Sequence, residues 1–244
     1  MLRLLPTILL ALLATAAHAK GPGDGMVYIT GVTVVHPERE GTAALEPHST
    51  VIIRGDRIQS VMQNVTLELP QGATVINGYG KYLIPGIVDA HVHFFQSGNL
   101  YTRPDVIDMN AVVPYAEETA RNKARLDTTF KVWLASGVTG VVDIGGPFWN
   151  FDVRDRTVGN PDAPRMAVAG PLISMVERPQ LDLGDPPIIR IDTIEDGLTL
   201  VARLLERNPD YIKVWFIHRE RDSLTAQEAI VKAAGDAAHA AGKK

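Results

Sequence analysis

The segment LIPGIVDAHVHF, residues 83–94, sets His91 and His93 two residues apart, with Asp89 two residues earlier. On a strand, alternate side chains share a face, so these three point one way while Ala90 and Val92 point the other. Two imidazoles on one face at a strand's end can both reach one cation; a helix would need four-residue spacing to do the same. A bare His-x-His is a common spacing. Its weight here comes from the setting: an apolar strand, Pro85-Gly86 just upstream, and an acid in phase. The chain has no cysteine, which excludes disulfides, thiolate nucleophiles and Cys-based zinc sites, so nitrogen and oxygen ligands must hold any metal.

Positioning such a pair requires strands, and the sequence supplies two kinds. From Met26 to Val75 the pattern is short β: Val27-Tyr28-Ile29 and Val32-Thr33-Val34-Val35 on either side of Gly31, then Thr50 to Ile53 and Ile58 to Met62 as hairpin arms around Gly55-Asp56. These strands are too few and too short to bury a core alone. After Gly78 strand and helix alternate. Tyr82 to His93, Gly137 to Ile144, Arg165 to Ile173 and Tyr211 to Ile217 are apolar runs of the kind a parallel sheet buries on both faces. Helices are expected over Ala116 to Ala135, over Ile194 to Arg207 with Thr193 and Asp196 as a capping box, and from a Thr225/Glu228 box to Ala241. Alternating β and α implies an α/β fold, doubly wound or barrel.

Composition narrows the function classes. The 244 residues are 45% hydrophobic and 21% charged, with 24 basic against 28 acidic side chains and a net charge of -4. No basic run offers a footprint for nucleic acid, and no disordered or multi-span membrane composition is present. Met1 to Arg3, the apolar Leu4 to Leu13 and the small-x-small site Ala17-His18-Ala19 have the layout of a cleaved secretory signal. That gives residues 1–19 as signal, an exported protein in the periplasm or medium, and no stable membrane insertion after cleavage.

The chain resembles the amidohydrolase superfamily of metal-dependent hydrolases, in the branch of imidazolonepropionase-like enzymes and Xaa-Pro dipeptidases. Five islands carry the resemblance in order: VIIRGDRIQSV, LIPGIVDAHVHF, GVTGVVDIGG at 137–146, APRMAVAGPLIS at 163–174 and DYIKVWF at 210–216. It implies the N-terminal half of a (β/α)8 barrel, about four βα units over residues 80–244, with a small β-sandwich part over residues 20–79. It also implies a divalent metal, one or two Zn2+ ions, held by His91, His93 and Lys213, with a carbamate on Lys213 bridging two ions. The strand pattern agrees with an inward lysine, since Tyr211, Lys213, Trp215 and Ile217 share a face. A plain alternative is Lys213 paired with an acid such as Asp143, itself structural or substrate-lining.

One departure bears on function. A full barrel takes about 250 residues and eight strands, whereas residues 80–244 hold four. The fifth, sixth and eighth strands bring two further histidines and the general-base aspartate in the family, and nothing matches them here. His36 and His48 read as loop residues, His239 as a surface residue, and His218 as following the fourth strand, where it could line a pocket. The expected activity is metal-assisted hydrolysis of carbon–nitrogen bonds in a small amide, cyclic amide or dipeptide, by the complete enzyme, with this segment alone inactive. The competing reading is an incomplete half-barrel that is non-catalytic, whether a fragment, a metal binder or an interaction product. The doubly wound alternative is weaker because no Gly-rich phosphate loop follows any strand. Exact substrate, one metal or two, and oligomeric state are open at this level.

Overall fold

A computed structural model describes residues 25–218, 220 and 223–244; the segment read as a secretory signal lies outside the described residues. The chain divides into two compact units, the first ending at Pro85 and the second beginning at Gly86.

The first unit is one mixed sheet. Strands β1 (Met26–Val35), β2 (Leu45–Arg54) and β3 (Arg57–Gln63) are antiparallel neighbours, while β4 (Thr74–Asn77) and β5 (Tyr82–Leu83) pair in parallel along the other edge of β1. The two short runs expected around Gly31 are one strand with an irregular register at that point. Gly31 has φ +69°, and the ring of Tyr79 packs where a Cβ would stand, so glycine keeps the strand continuous where a larger residue would break it. Alternate residues of β1 face two small apolar clusters, Met26 and Tyr28 with Ile52, and Val32 and Val34 with Val51.

The second unit has β6 (Ile87–Val92), α1 (Tyr115–Ala135), β7 (Val138–Asp143), α2 (Trp149–Thr157), β8 (Arg165–Val168), β9 (Leu172–Ser174), β10 (Ile188–Arg190), α3 (Ile194–Leu205), β11 (Val214–Trp215) and α4 (Leu224–Ala240). Every strand pairing in it is parallel, in the orders β6-β7-β8 and β10-β9-β11. The Asp210 amide donates to the Val168 carbonyl at 3.0 Å, and the Ile173 amide to the Lys213 carbonyl at 3.0 Å. The segment entering β11 therefore runs beside β8 and β9 together. Phe130 of α1, Val141 of β7, Phe151 of α2, Ile173 of β9, Leu204 of α3 and Ala234 of α4 bury the main core between strands and helices. This is the expected alternating α/β architecture.

Several expectations are corrected. Tyr82 to His93 is two strands in two units, β5 and β6, because Pro85 lacks the N–H a ladder needs. Arg165 to Ile173 is likewise two strands, β8 and β9, divided at Ala169-Gly170-Pro171. The last strand is shorter than Tyr211 to Ile217, and α2 and β10 were not foreseen. The Thr193/Asp196 capping box is present, but α4 is capped by Ser223, whose Oγ accepts from the Ala226 amide, and not by Thr225. Burial on both faces fails for β6: Ile87 is 49% and Val88 60% exposed, because β6 is an edge strand paired only with β7.

Candidate active site

The C-terminal ends of β6, β7, β9 and β11 converge on a cavity of about 240 Å3 whose wall includes His91, His93, Arg103, Lys213 and Trp215. Alternation explains the convergence. Val92 packs against the core and so turns the flanking histidines away from it, and Ile212 and Val214 do the same for Lys213 and Trp215. The His91 and His93 ring centroids are 5.5 Å apart with the planes nearly perpendicular. All three predicted site residues therefore line one cavity.

His93 is oriented by the end of β7. Its Nδ1 lies 2.7 Å from the Gly145 carbonyl oxygen. A carbonyl only accepts, so Nδ1 carries the proton and the Nε2 lone pair is left for another partner. Burial holds the His93 pKa below its ordinary value; the hydrogen bond to Gly145 opposes this, while His91, Arg103 and Lys213 push the same way as burial. The ring is thus a neutral imidazole, the form that binds metals. Gly145 has φ +152°, and a Cβ there would fall 2.5 Å from Leu172 Cδ2, so the carbonyl is presented from a position only glycine fills without strain.

Behind this turn sits Asp143, fully buried. Its carboxylate accepts from the Gly145 amide at 3.0 Å, from the Phe94 amide at 3.5 Å and from Asn150 Nδ2, and its backbone carbonyl accepts from the Tyr211 hydroxyl. It thereby ties the residue after His93 to the residue whose carbonyl holds His93. Burial pushes the Asp143 pKa up to about 7, against the three N–H donors. Among the described residues the Asn150 Oδ1 is buried without a partner in this arrangement; with the amide turned over it would accept from a protonated Asp143.

Lys213 is half-buried, and among the described residues it has no ion-pair partner. The pairing with Asp143 kept open above is not formed, because Asp143 faces the β7 turn. Asp89 shares the phase of the histidines but is exposed, outside the cavity wall, with its Oδ1 accepting from the His91 amide. His218 is exposed beside Gln227, His239 is exposed near the end of α4, His36 follows β1 and contacts Glu46 at 3.0 Å, and His48 lies within β2 rather than in a loop. Among the described residues no three of the His, Cys, Asp and Glu side chains cluster as a metal cage. Two imidazoles with one anchored on a carbonyl, beside an amine, fit part of a ligand set for a borderline cation.

Arg103, Gln96, Phe95 and Ile188 also line the cavity and were not anticipated. The one signal for the first three was the irregular stretch from 93 to 114 between β6 and α1, long enough to suggest a functional loop.

No protein-family model and no curated protein matches the chain. Solved structures do. A prolidase complexed with N-methylphosphonate-L-proline superposes with a TM-score of 0.65 at 25% identity, covering 89% of this chain and 54% of that one. A putative prolidase from Bifidobacterium longum gives 0.64 at 23%, covering 91% and 49%, and phenylurea hydrolase B gives 0.68 at 20%, covering 89% and 54%. The chain has the amidohydrolase-superfamily fold. It spans about half the length of the solved structures it resembles. In this amidohydrolase-type fold the cavity sits where parallel strands end, the usual place for α/β sites.

Proposed function

We propose that the chain is the N-terminal half of a metal-dependent hydrolase of carbon–nitrogen bonds, with residues 86–244 forming the first four βα units of a (β/α)8 barrel. The observation that carries this reading is the meeting of His91, His93 and Lys213 at the C-terminal ends of parallel strands, in a fold shared with prolidases and a phenylurea hydrolase. In this reading His91 and His93 would hold a divalent cation such as Zn2+, and Lys213, if carbamylated, would add a carboxylate to the ligand set. The bound cation supplies water activation near neutral pH and polarisation of a carbonyl. The chain's own residues orient the ligands and shape the site. The Gly145 carbonyl keeps the His93 Nε2 lone pair aimed into the cavity, and Asp143 keeps Gly145 in place. Phe95, Leu172 and Trp215 give the scissile amide an apolar wall that lowers the local dielectric.

The exposed flank of β6 favours a second reading for this chain by itself, an incomplete barrel that binds metal without turnover. Export, resting on residues 1–19, belongs to the same proposal. The test is amine release from dipeptides and N-acyl amino acids, by residues 20–244 and by a form completed with a second half-barrel. Residues 20–244 are expected to be inactive, and the completed form active until a chelator is added. A completed, metal-loaded form without amidase activity would contradict the hydrolase reading.

A further inference from the structure

The cavity wall carries a charged device that metal chemistry does not use. Arg103 donates from Nε to Asp105 Oδ1 at 2.8 Å and from Nη2 to Asp105 Oδ2 at 2.9 Å. The Asp105 side chain is 2% exposed, and Arg178 approaches the same carboxylate, Nε to Oδ2, at 3.7 Å while lying over the Trp215 ring. Two guanidinium groups thus share one carboxylate, which leaves this group of three with one positive charge in excess.

The geometry of Arg103 decides which way that charge is offered. Of its five N–H groups, Asp105 takes two on one edge of the fork. The remaining three find no protein acceptor among the described residues, and the side chain is 45% exposed on the wall of the cavity that holds His91, His93 and Lys213. A guanidinium locked on one edge presents its free edge as a planar, pre-oriented pair of donors, the shape that receives a carboxylate with two parallel hydrogen bonds. Among the described residues no Asp or Glu lines this cavity, and Leu172, Leu181 and Ile188 supply apolar surface beside the arginine. A neutral amide offers the fork one carbonyl oxygen and no charge, so it forgoes both the second hydrogen bond and the ion pair.

We infer that Arg103, held by Asp105, is the residue that receives the carboxylate of the substrate, and that the substrates are amides ending in a free carboxylate beside an apolar group, such as N-acyl or N-aminoacyl amino acids, rather than neutral amides or ureas. This rests on the cavity being the substrate site of the hydrolase proposed above. The fold alone does not choose, since its bearers include both a prolidase and a phenylurea hydrolase.

The test is binding, so that it is independent of turnover. Titration calorimetry of the chain, with chelator present to keep metal from capturing the anion, compares N-acetyl-L-leucine with N-acetyl-L-leucinamide. The carboxylate is expected to bind at least 10-fold tighter than the amide. Arg103→Met should reduce the preference to less than 3-fold, and Arg103→Lys, which keeps the charge but loses the fork, should fall between. Arg178→Met should keep most of it. Equal affinity of the two ligands for the unmodified chain, no saturable binding of the acid, or a preference that survives Arg103→Met would each overturn the inference; the last would transfer the anion to Lys213. Absent hydrolysis by the completed, metal-loaded form, with the preference intact, would count against the hydrolase reading alone.

Discussion

Asp143→Asn separates two physical forces that act on one buried carboxyl. Burial favours the neutral acid, whereas the amides of Gly145 and Phe94 and the Asn150 side chain favour the anion. Burial wins, with the pKa near 7 in the folded chain against 3.8 unperturbed. Because the folded pKa is raised, the carboxyl's stabilising contribution is complete below the unfolded value and is lost as pH rises through the folded one. Between those limits the folded state holds one proton that the unfolded state has released, so stability falls by about 1.4 kcal/mol per pH unit. Over the whole interval that is roughly 4 kcal/mol, a large part of a domain's usual 5–15. Asparagine mimics the protonated form, since its amide N–H can reach Asn150 Oδ1 while its oxygen still accepts from Gly145. The stability of Asp143→Asn relative to the unmodified chain should therefore increase by roughly 2 kcal/mol from pH 5 to pH 7. All three tryptophans, Trp133, Trp149 and Trp215, lie in the second unit, so urea unfolding followed by their fluorescence reports that unit. A difference that stays constant with pH, or that shifts in favour of the unmodified chain, would refute the reasoning and make Asp143 an anion held by its three donors.

Gly145→Ala should destabilise the second unit by about 1–3 kcal/mol, because φ +152° is strained for alanine and the new methyl meets Leu172; thermal unfolding by circular dichroism checks it, and no change in midpoint would contradict the strain. In a completed barrel, Lys213→Ala should abolish turnover and cost one metal of two, Lys213→Glu should be milder because a carboxylate remains, and acetate or formate should restore part of the alanine variant's rate. Near-normal activity with Lys213→Arg, or two metals retained in Lys213→Ala by atomic spectroscopy, would exclude a bridging role.

What could be read in advance follows physical range. The facing of the histidine pair and Lys213 was legible because strand alternation is local: once Val92 and Val214 are assigned to the core, His91, His93 and Lys213 must face the other way. The Thr193 cap was legible for the same reason, since a capping box closes within four residues. Arg103 and Asp105 carry no periodic signal; Arg103 meets the cavity, with Asp105 beside it, only through the path of the irregular stretch from 93 to 114, and Arg178, 75 positions after Arg103, joins them across it. Asp143 was visible as a polar residue in an apolar run, but its role needs the Gly145 turn and α2, which supplies Asn150. The division of Tyr82 to His93 was signalled by Pro85 and outweighed by the apolar run around it. Burial of β6 could not follow from its composition, because burial depends on what lies along both flanks of a strand and only β7 pairs with it here.

The central claim is that His91 and His93 together hold a metal ion, and the most direct measurement is metal content by atomic spectroscopy after equilibrium dialysis against Zn2+. The unmodified chain should retain zinc. His91→Ala and His93→Ala should each weaken retention sharply, because each removes one of two nitrogen ligands, and the double variant should retain none above a buffer blank. Asp143→Asn, which keeps both imidazoles, should retain zinc. Equal zinc content in the unmodified chain and the double variant would contradict the claim.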